Sequence, residues 1–109
     1  MEITTTQYNR CDVVKMNGRV DTYTSPKLQE TLDGIVESGR YNIILNMSEV
    51  DFLSSKGLWV LTETQKKVKS RGRLVLVNTD EKIRKSLDLV GMGEYFDFFD
   101  DLTAAVGSF

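Results

Sequence analysis

Histidine is absent from the 109 residues, and cysteine and proline occur once each, as Cys11 and Pro26. Without histidine the chain lacks the commonest general base, the usual imidazole metal ligand and every Ser-His-Asp or Cys-His arrangement, which argues against hydrolase chemistry. A solitary cysteine forms no internal disulfide and no CxxC motif, so a reducing cytoplasm is the expected compartment, and Cys11 itself reads as a strand residue. No apolar run approaches the roughly 18 residues that cross a bilayer, and no charged-then-apolar leader opens the chain, so neither membrane insertion nor secretion is expected. The formal charge of −2 arises from interspersed acids and bases. There is no basic stripe to follow a nucleic-acid backbone, and Lys66-Lys67-Val68-Lys69 reads as a solvated helix face. Neither a cofactor nor a metal ion is implied.

What is present suits one α/β domain over residues 1–109, since 40% hydrophobic and 28% charged residues are the composition of a soluble globular chain. Residues 2–8 and 11–17 are rich in β-branched side chains and are separated by Asn9-Arg10, which predicts two adjacent antiparallel strands, with Gly18 breaking the second. Ser25 and Pro26 supply an N-cap and an N1 proline for a helix carrying Leu28, Leu32, Ile35 and Val36 at helical spacing until Gly39. Residues 43–45 and 74–77 are short continuous apolar runs, as inner parallel strands require. Between them, Leu58, Leu61, Gln65 and Val68 share one face of a crossover helix over 55–70, with Gly72 as its stop. A third helix starts near Thr79-Asp80-Glu81, buries Ile83, Leu87 and Val90, and ends at Gly91-Met92-Gly93. The aromatic tail predicts a short extended piece that seals the core, then a last helix capped by Asp100 or Asp101. The expected order is ββαβαβα with a final C-terminal helix, on a mixed sheet of about four to five strands with about four helices.

The segment from Ile43 to Leu61 leads from a buried strand, through a polar connection, into a helix that begins at Ser54-Ser55. A serine there has a structural use, because its hydroxyl caps a free backbone N–H. It also has a chemical use, because the unpaired N–H groups and partial positive charge of a helix N-terminus receive a phosphate well. Leu45-Asn46, then Asp51-Phe52, Ser54-Ser55 and Gly57-Leu58 together resemble the signature of the anti-sigma factor antagonists of the STAS family. Gly18-Arg19-Val20-Asp21, Tyr23-Thr24-Ser25-Pro26, Gly72 to Val77, and Ile83, Leu87 and Gly91-Met92 extend that similarity over essentially the whole chain.

The resemblance implies a single STAS-like fold and a non-enzymatic switch protein. In such a switch Ser55 takes the place of the phosphorylated serine, and the unphosphorylated protein binds an anti-sigma factor that is also a serine kinase, releasing a sigma factor. A serine phosphatase resets the cycle. Ser54 stands where the family usually has an acid, and is a second candidate acceptor; Lys56 stands where a small hydroxylic residue is usual. Asp21, Tyr23, Thr24, Ser54, Lys56, Gly57 and Trp59 are the candidate partner-binding residues, and the protein is expected to be a monomer or weak dimer. Gly57 reads as a point of close approach. Trp59 is open to two readings, an exposed interface anchor or a ring packed on the Asp21 loop or the last helix. The alternative function is a constitutive STAS adaptor in a signalling complex, or a phosphatase regulator, without a serine switch. A Ser55 nucleophile activated by Lys56 or Asp21 lacks a group preset to deprotonate it.

Overall fold

The computed structural model describes all residues from Met1 to Phe109. Five strands form one sheet: β1 (Ile3–Gln7), β2 (Asp12–Val20), β3 (Asn42–Leu53), β4 (Arg73–Val77) and β5 (Asp97–Phe99). The helices are α1 (Ser25–Glu37), α2 (Ser55–Val68), α3 (Glu81–Leu89) and α4 (Leu102–Gly107). The spatial order of the strands equals their chain order, with β1 antiparallel to β2 and every later pair parallel. The expected mixed sheet and element order are therefore observed.

Successive parallel strands laid down side by side in one direction, each with a right-handed crossover, bring their helices to one face. That face holds the main core, where Leu28 and Leu32 of α1, Val60, Leu61 and Val68 of α2, and Ile83 and Leu87 of α3 meet Val14, Ile43, Leu45, Leu74 and Leu76. The other face is smaller, with Val13, Ile44, Val75 and Val77 covered by Ala105 of α4. Alternate residues of β3 and β4 thus serve opposite faces, and because both faces are covered the runs read as continuously apolar. Phe96 joins the main core, where Tyr95 meets its ring edge-on at 5.3 Å, so the aromatic tail does seal the interior.

Four expectations need correction. The segment after Leu45 is strand, not a polar connection: β3 runs on to Leu53. Its buried positions 45, 47 and 50 lose the two-residue rhythm because two β-bulges interrupt its pairing with β2, near Met47-Ser48 and Asp51. Gly18 does not end β2 but sits within it, at φ +83°, beside the second irregularity. Ser25 does not cap α1; Thr24 is the N-cap residue, and Ser25 is a buried first helical residue whose hydroxyl has no hydrogen-bond partner. Val90 is not core: α3 stops at Leu89, and Val90 is 60% exposed as the chain turns away at Gly91, φ +76°.

Other boundaries follow local chemistry. Asp80 caps α3 by accepting the Lys82 N–H at 2.7 Å, and Asp101, rather than Asp100, caps α4 through the Thr103 and Ala104 N–H groups. Gln65, on the buried face of α2, accepts the Leu74 N–H at 2.9 Å and donates to the Tyr95 carbonyl at 3.0 Å. It thereby satisfies the backbone of Leu74, one residue before pairing with β5 begins at Val75. Cys11 is buried in the turn just before β2; burial, then the neighbouring Asp12 charge, raises its thiol above the ordinary value, against an opposing effect of Arg40.

Candidate functional site

Because β2 and β3 are parallel neighbours, their C-terminal ends finish side by side. The chain leaving β2 forms the Asp21–Thr24 turn, and the chain leaving β3 enters α2 at Ser54-Ser55. A hydrogen bond from the Ser54 N–H to the Val20 carbonyl, 2.8 Å, joins the two exits. Gly57 lies in the first turn of α2 directly against this joint. A Cβ there would stand 2.7 Å from Leu53 Cδ1, 2.9 Å from Val20 Cγ1 and 3.0 Å from the Val20 carbonyl oxygen. The close approach read from the sequence is thus made by the end of β2, and Gly57 is itself buried.

The two serines have different roles in this geometry. Ser54 is the N-cap, extended at φ −79° and ψ 171°, and its hydroxyl accepts the Gly57 N–H at 3.1 Å. Ser55 is the first helical residue, exposed, with a hydroxyl that has no hydrogen-bond partner in the chain. It therefore sits at the positive end of a four-turn helix without being needed to hold it.

The Asp21 turn holds itself. Asp21 Oδ1 accepts the N–H groups of Tyr23 at 3.0 Å and Thr24 at 3.1 Å. The Thr24 hydroxyl accepts the Asp21 N–H at 2.9 Å and lies 2.7 Å from the Arg19 carbonyl, to which it donates. These bonds, the Thr24 N–H first, hold the Asp21 carboxyl below its ordinary value despite some desolvation, with Arg19 adding a small attraction. Tyr23 projects from the turn almost fully exposed.

Two cations cover two aromatic rings around Ser55. Lys56 Nζ lies 4.1 Å from the centroid of Trp59, and Arg19 Cζ lies 3.9 Å from that of Phe52. Trp59 is 45% exposed, so its ring belongs to the surface beside the switch position. Opposite these residues, Lys82 and Ser86 of α3, with Val90 just beyond its end, form the far wall of a groove of about 310 Å³ whose near wall includes Ser54, Ser55 and Leu58. Sequence reasoning missed this α3 wall. The signal available was the four-residue spacing of Lys82 and Ser86, which puts both on one line of the helix beside buried Ile83 and Leu87.

The STAS domain profile matches residues 2–105. The chain belongs to the STAS domain family. This STAS domain is 26% identical over 104 residues to the anti-sigma-F factor antagonist RsfB of Mycobacterium tuberculosis, an alignment covering 95% of the chain and 85% of RsfB. Its fold matches a putative anti-sigma factor antagonist of Thermotoga maritima with a TM-score of 0.90 at 19% identity, covering 97% of this chain and 92% of the other. It also matches the phosphorylated form of the Bacillus cell-fate determinant SpoIIAA, with a TM-score of 0.79 at 18% identity over 98% of each chain. No helix of this STAS domain is long and apolar enough to cross a membrane.

Proposed function

We propose that this STAS domain is an anti-sigma factor antagonist whose choice of partner is set by phosphorylation of Ser55. Unphosphorylated, it binds an anti-sigma factor that is also a serine kinase, and so releases a sigma factor in the cytoplasm. The kinase transfers the γ-phosphoryl group of ATP to Ser55 Oγ, which gives up its proton as ADP leaves. A serine phosphatase hydrolyses the ester and restores binding. The domain is the substrate in this cycle and catalyses nothing.

The observation that carries this conclusion is the free, exposed hydroxyl of Ser55 at the first position of α2, beside a neighbour that already does the capping. The relatives named as antagonists support the class of partner, and a phosphorylated SpoIIAA of the same fold supports the switch. Ser54, the second candidate acceptor, would have to give up the Gly57 N–H to react, which favours Ser55. Phosphate adds about −1.5 to −2 charges at a helix end that carries roughly +0.5. The helix therefore tolerates it, and Lys56 adds a screened attraction. The partner does not tolerate it, because a surface shaped around a neutral hydroxyl must then desolvate a near-dianion.

Exposed Tyr23 and Trp59 are the aromatic anchors of the proposed interface, to which Asp21, Thr24, Ser54 and Lys56 also contribute. Gly57 contributes by letting the serine turn seat on Val20. A second reading, a constitutive STAS adaptor or phosphatase regulator, is favoured by Ser54 and Lys56 standing where the family's acceptor site has an acid and a small hydroxyl. The deciding experiment incubates the protein with candidate kinases and ATP, maps the modified residue by mass spectrometry, and compares partner binding of Ser55→Ala and Ser55→Asp. One phosphate on Ser55, with binding kept by alanine and lost by aspartate, is the expected result. Equal binding by the two variants establishes the adaptor instead.

A further inference from the structure

At the end of the sheet opposite Ser55, the connections that lead into β2, β3 and β4, together with Phe109, surround a hollow of about 310 Å³. Three arginines reach it from three connections: Arg10 between β1 and β2, Arg40 between α1 and β3, and Arg71 between α2 and β4. None of the nine lining residues carries a side-chain carboxylate. The one acid paired with any of the three arginines is Asp12, buried behind the wall and bound to Arg40.

The guanidiniums are held in place but left with donors to spare. Arg40 Nε donates to Asp12 Oδ2 at 2.7 Å, and its Nη2 donates to the carbonyls of Tyr8 at 2.6 Å and Cys11 at 3.2 Å. Those three bonds leave both Nη1 hydrogens without a partner. Arg71 Nη1 donates to the Tyr41 hydroxyl at 2.9 Å, and its Cζ lies 5.0 Å from the centre of that ring, so the fork is fixed while most of its N–H groups are unused. The Arg10 side chain has no partner at all, although its carbonyl accepts Asn42 Nδ2 at 2.9 Å and so fastens the rim. Two of three guanidiniums are thus ordered in advance, which lowers the entropy lost on binding.

We propose that this hollow binds a small molecule bearing a phosphate or pyrophosphate group. Three guanidiniums against the one side-chain carboxylate of Asp12 leave the side chains of the hollow net positive, as a phosphate-bearing anion requires. Planar forks arriving from several directions suit a tetrahedral oxyanion, whereas a carboxylate has two oxygens in one plane and engages one fork. The volume leaves room for a modest organic body beyond the phosphate, against the Tyr41 ring. The site lies on other elements than Ser55, so it stands or falls apart from the phosphorylation switch.

Titration of inorganic pyrophosphate into ¹⁵N-labelled full-length protein tests it, with acetate at matched ionic strength as control. Saturable amide shifts confined to Gly39, Arg40, Asn42 and their neighbours are expected with pyrophosphate and not with acetate. Arg10→Gln should weaken binding by about tenfold or more, without moving the unfolding midpoint, because the Arg10 side chain holds nothing in the fold. Arg71→Gln should act in the same direction, with Arg71→Lys intermediate. Shifts that fail to saturate, that acetate reproduces, that cluster around Lys56 and Lys82 instead, or that survive Arg10→Gln unchanged would each overturn the proposal.

Discussion

Ser54 Oγ accepts the Gly57 N–H, while Ser55 Oγ holds nothing, so their alanine variants should separate cleanly. Ser54→Ala removes an N-cap and is expected to cost about 1 kcal/mol, read as a lower urea midpoint. Ser55→Ala should change stability by less than about 0.5 kcal/mol, since it touches no structural bond. The reverse order would mean that the caps are exchanged in solution. Asp21 gives a pH signature. Its native value is depressed, so the stability its carboxylate contributes is complete above the ordinary value of 3.8 and is lost as the pH falls through the lower native value. Acidification from neutral pH should therefore leave the Tyr23 and Thr24 amide resonances in place until below 3.8, and an NMR titration midpoint at or above that value would count against the turn. Both serines and Asp21 were legible in the sequence. Which serine caps was not, because that depends on a backbone dihedral and on one hydrogen bond.

The start of α2 shows why a residue's intrinsic preference is a poor guide to its cost of replacement. Gly57→Ala should gain up to about 1 kcal/mol of helix propensity. The added methyl, however, meets Leu53, Val20 and the Val20 carbonyl at 2.7–3.0 Å, and two of those neighbours are the strand ends that position the site. A net loss of about 1–3 kcal/mol is expected, measured by urea denaturation, together with weaker partner binding as the serine turn shifts. The same region explains the longest misreading. β3 looks like a strand only as far as Leu45, since Asn46, Ser48, Glu49 and Asp51 break any apolar run. Its continuation is held by pairing with β2 through two bulges, and a bulge destroys the alternation from which strands are recognised. Helix α3 failed in the opposite sense: Val90 keeps the helical spacing of Ile83 and Leu87, but the helix has ended before it can turn inward.

Across the whole molecule, one buried ion pair ties together parts of the chain that lie far apart in sequence. Asp12, at the start of β2, is 2% exposed and holds Arg40, which reaches back to the β1–β2 turn. Asp12→Ala would leave the guanidinium half-buried without its counter-charge, and a loss of about 3 kcal/mol or more is expected in equilibrium unfolding. A smaller change would show that water replaces the carboxylate.

Helical spacing together with caps and glycine stops located α1, α2 and α3, a capping aspartate located α4, a continuous apolar run located β4, and the clustering of aromatics put the tail in the core. Resemblance to the family's motif marked Ser55 and Asp21, and composition alone removed histidine chemistry from consideration. The pairing of Ser54 with Gly57, the seating of α2 on Val20, the exposure of Val90 and the convergence of three arginines were decided only by the tertiary structure. The seating of α2 on Val20 and the convergence of the arginines depend on contact between segments distant along the chain, whereas the Ser54–Gly57 bond and the exposure of Val90 depend on local backbone geometry; neither kind of geometry is recorded by residue spacing.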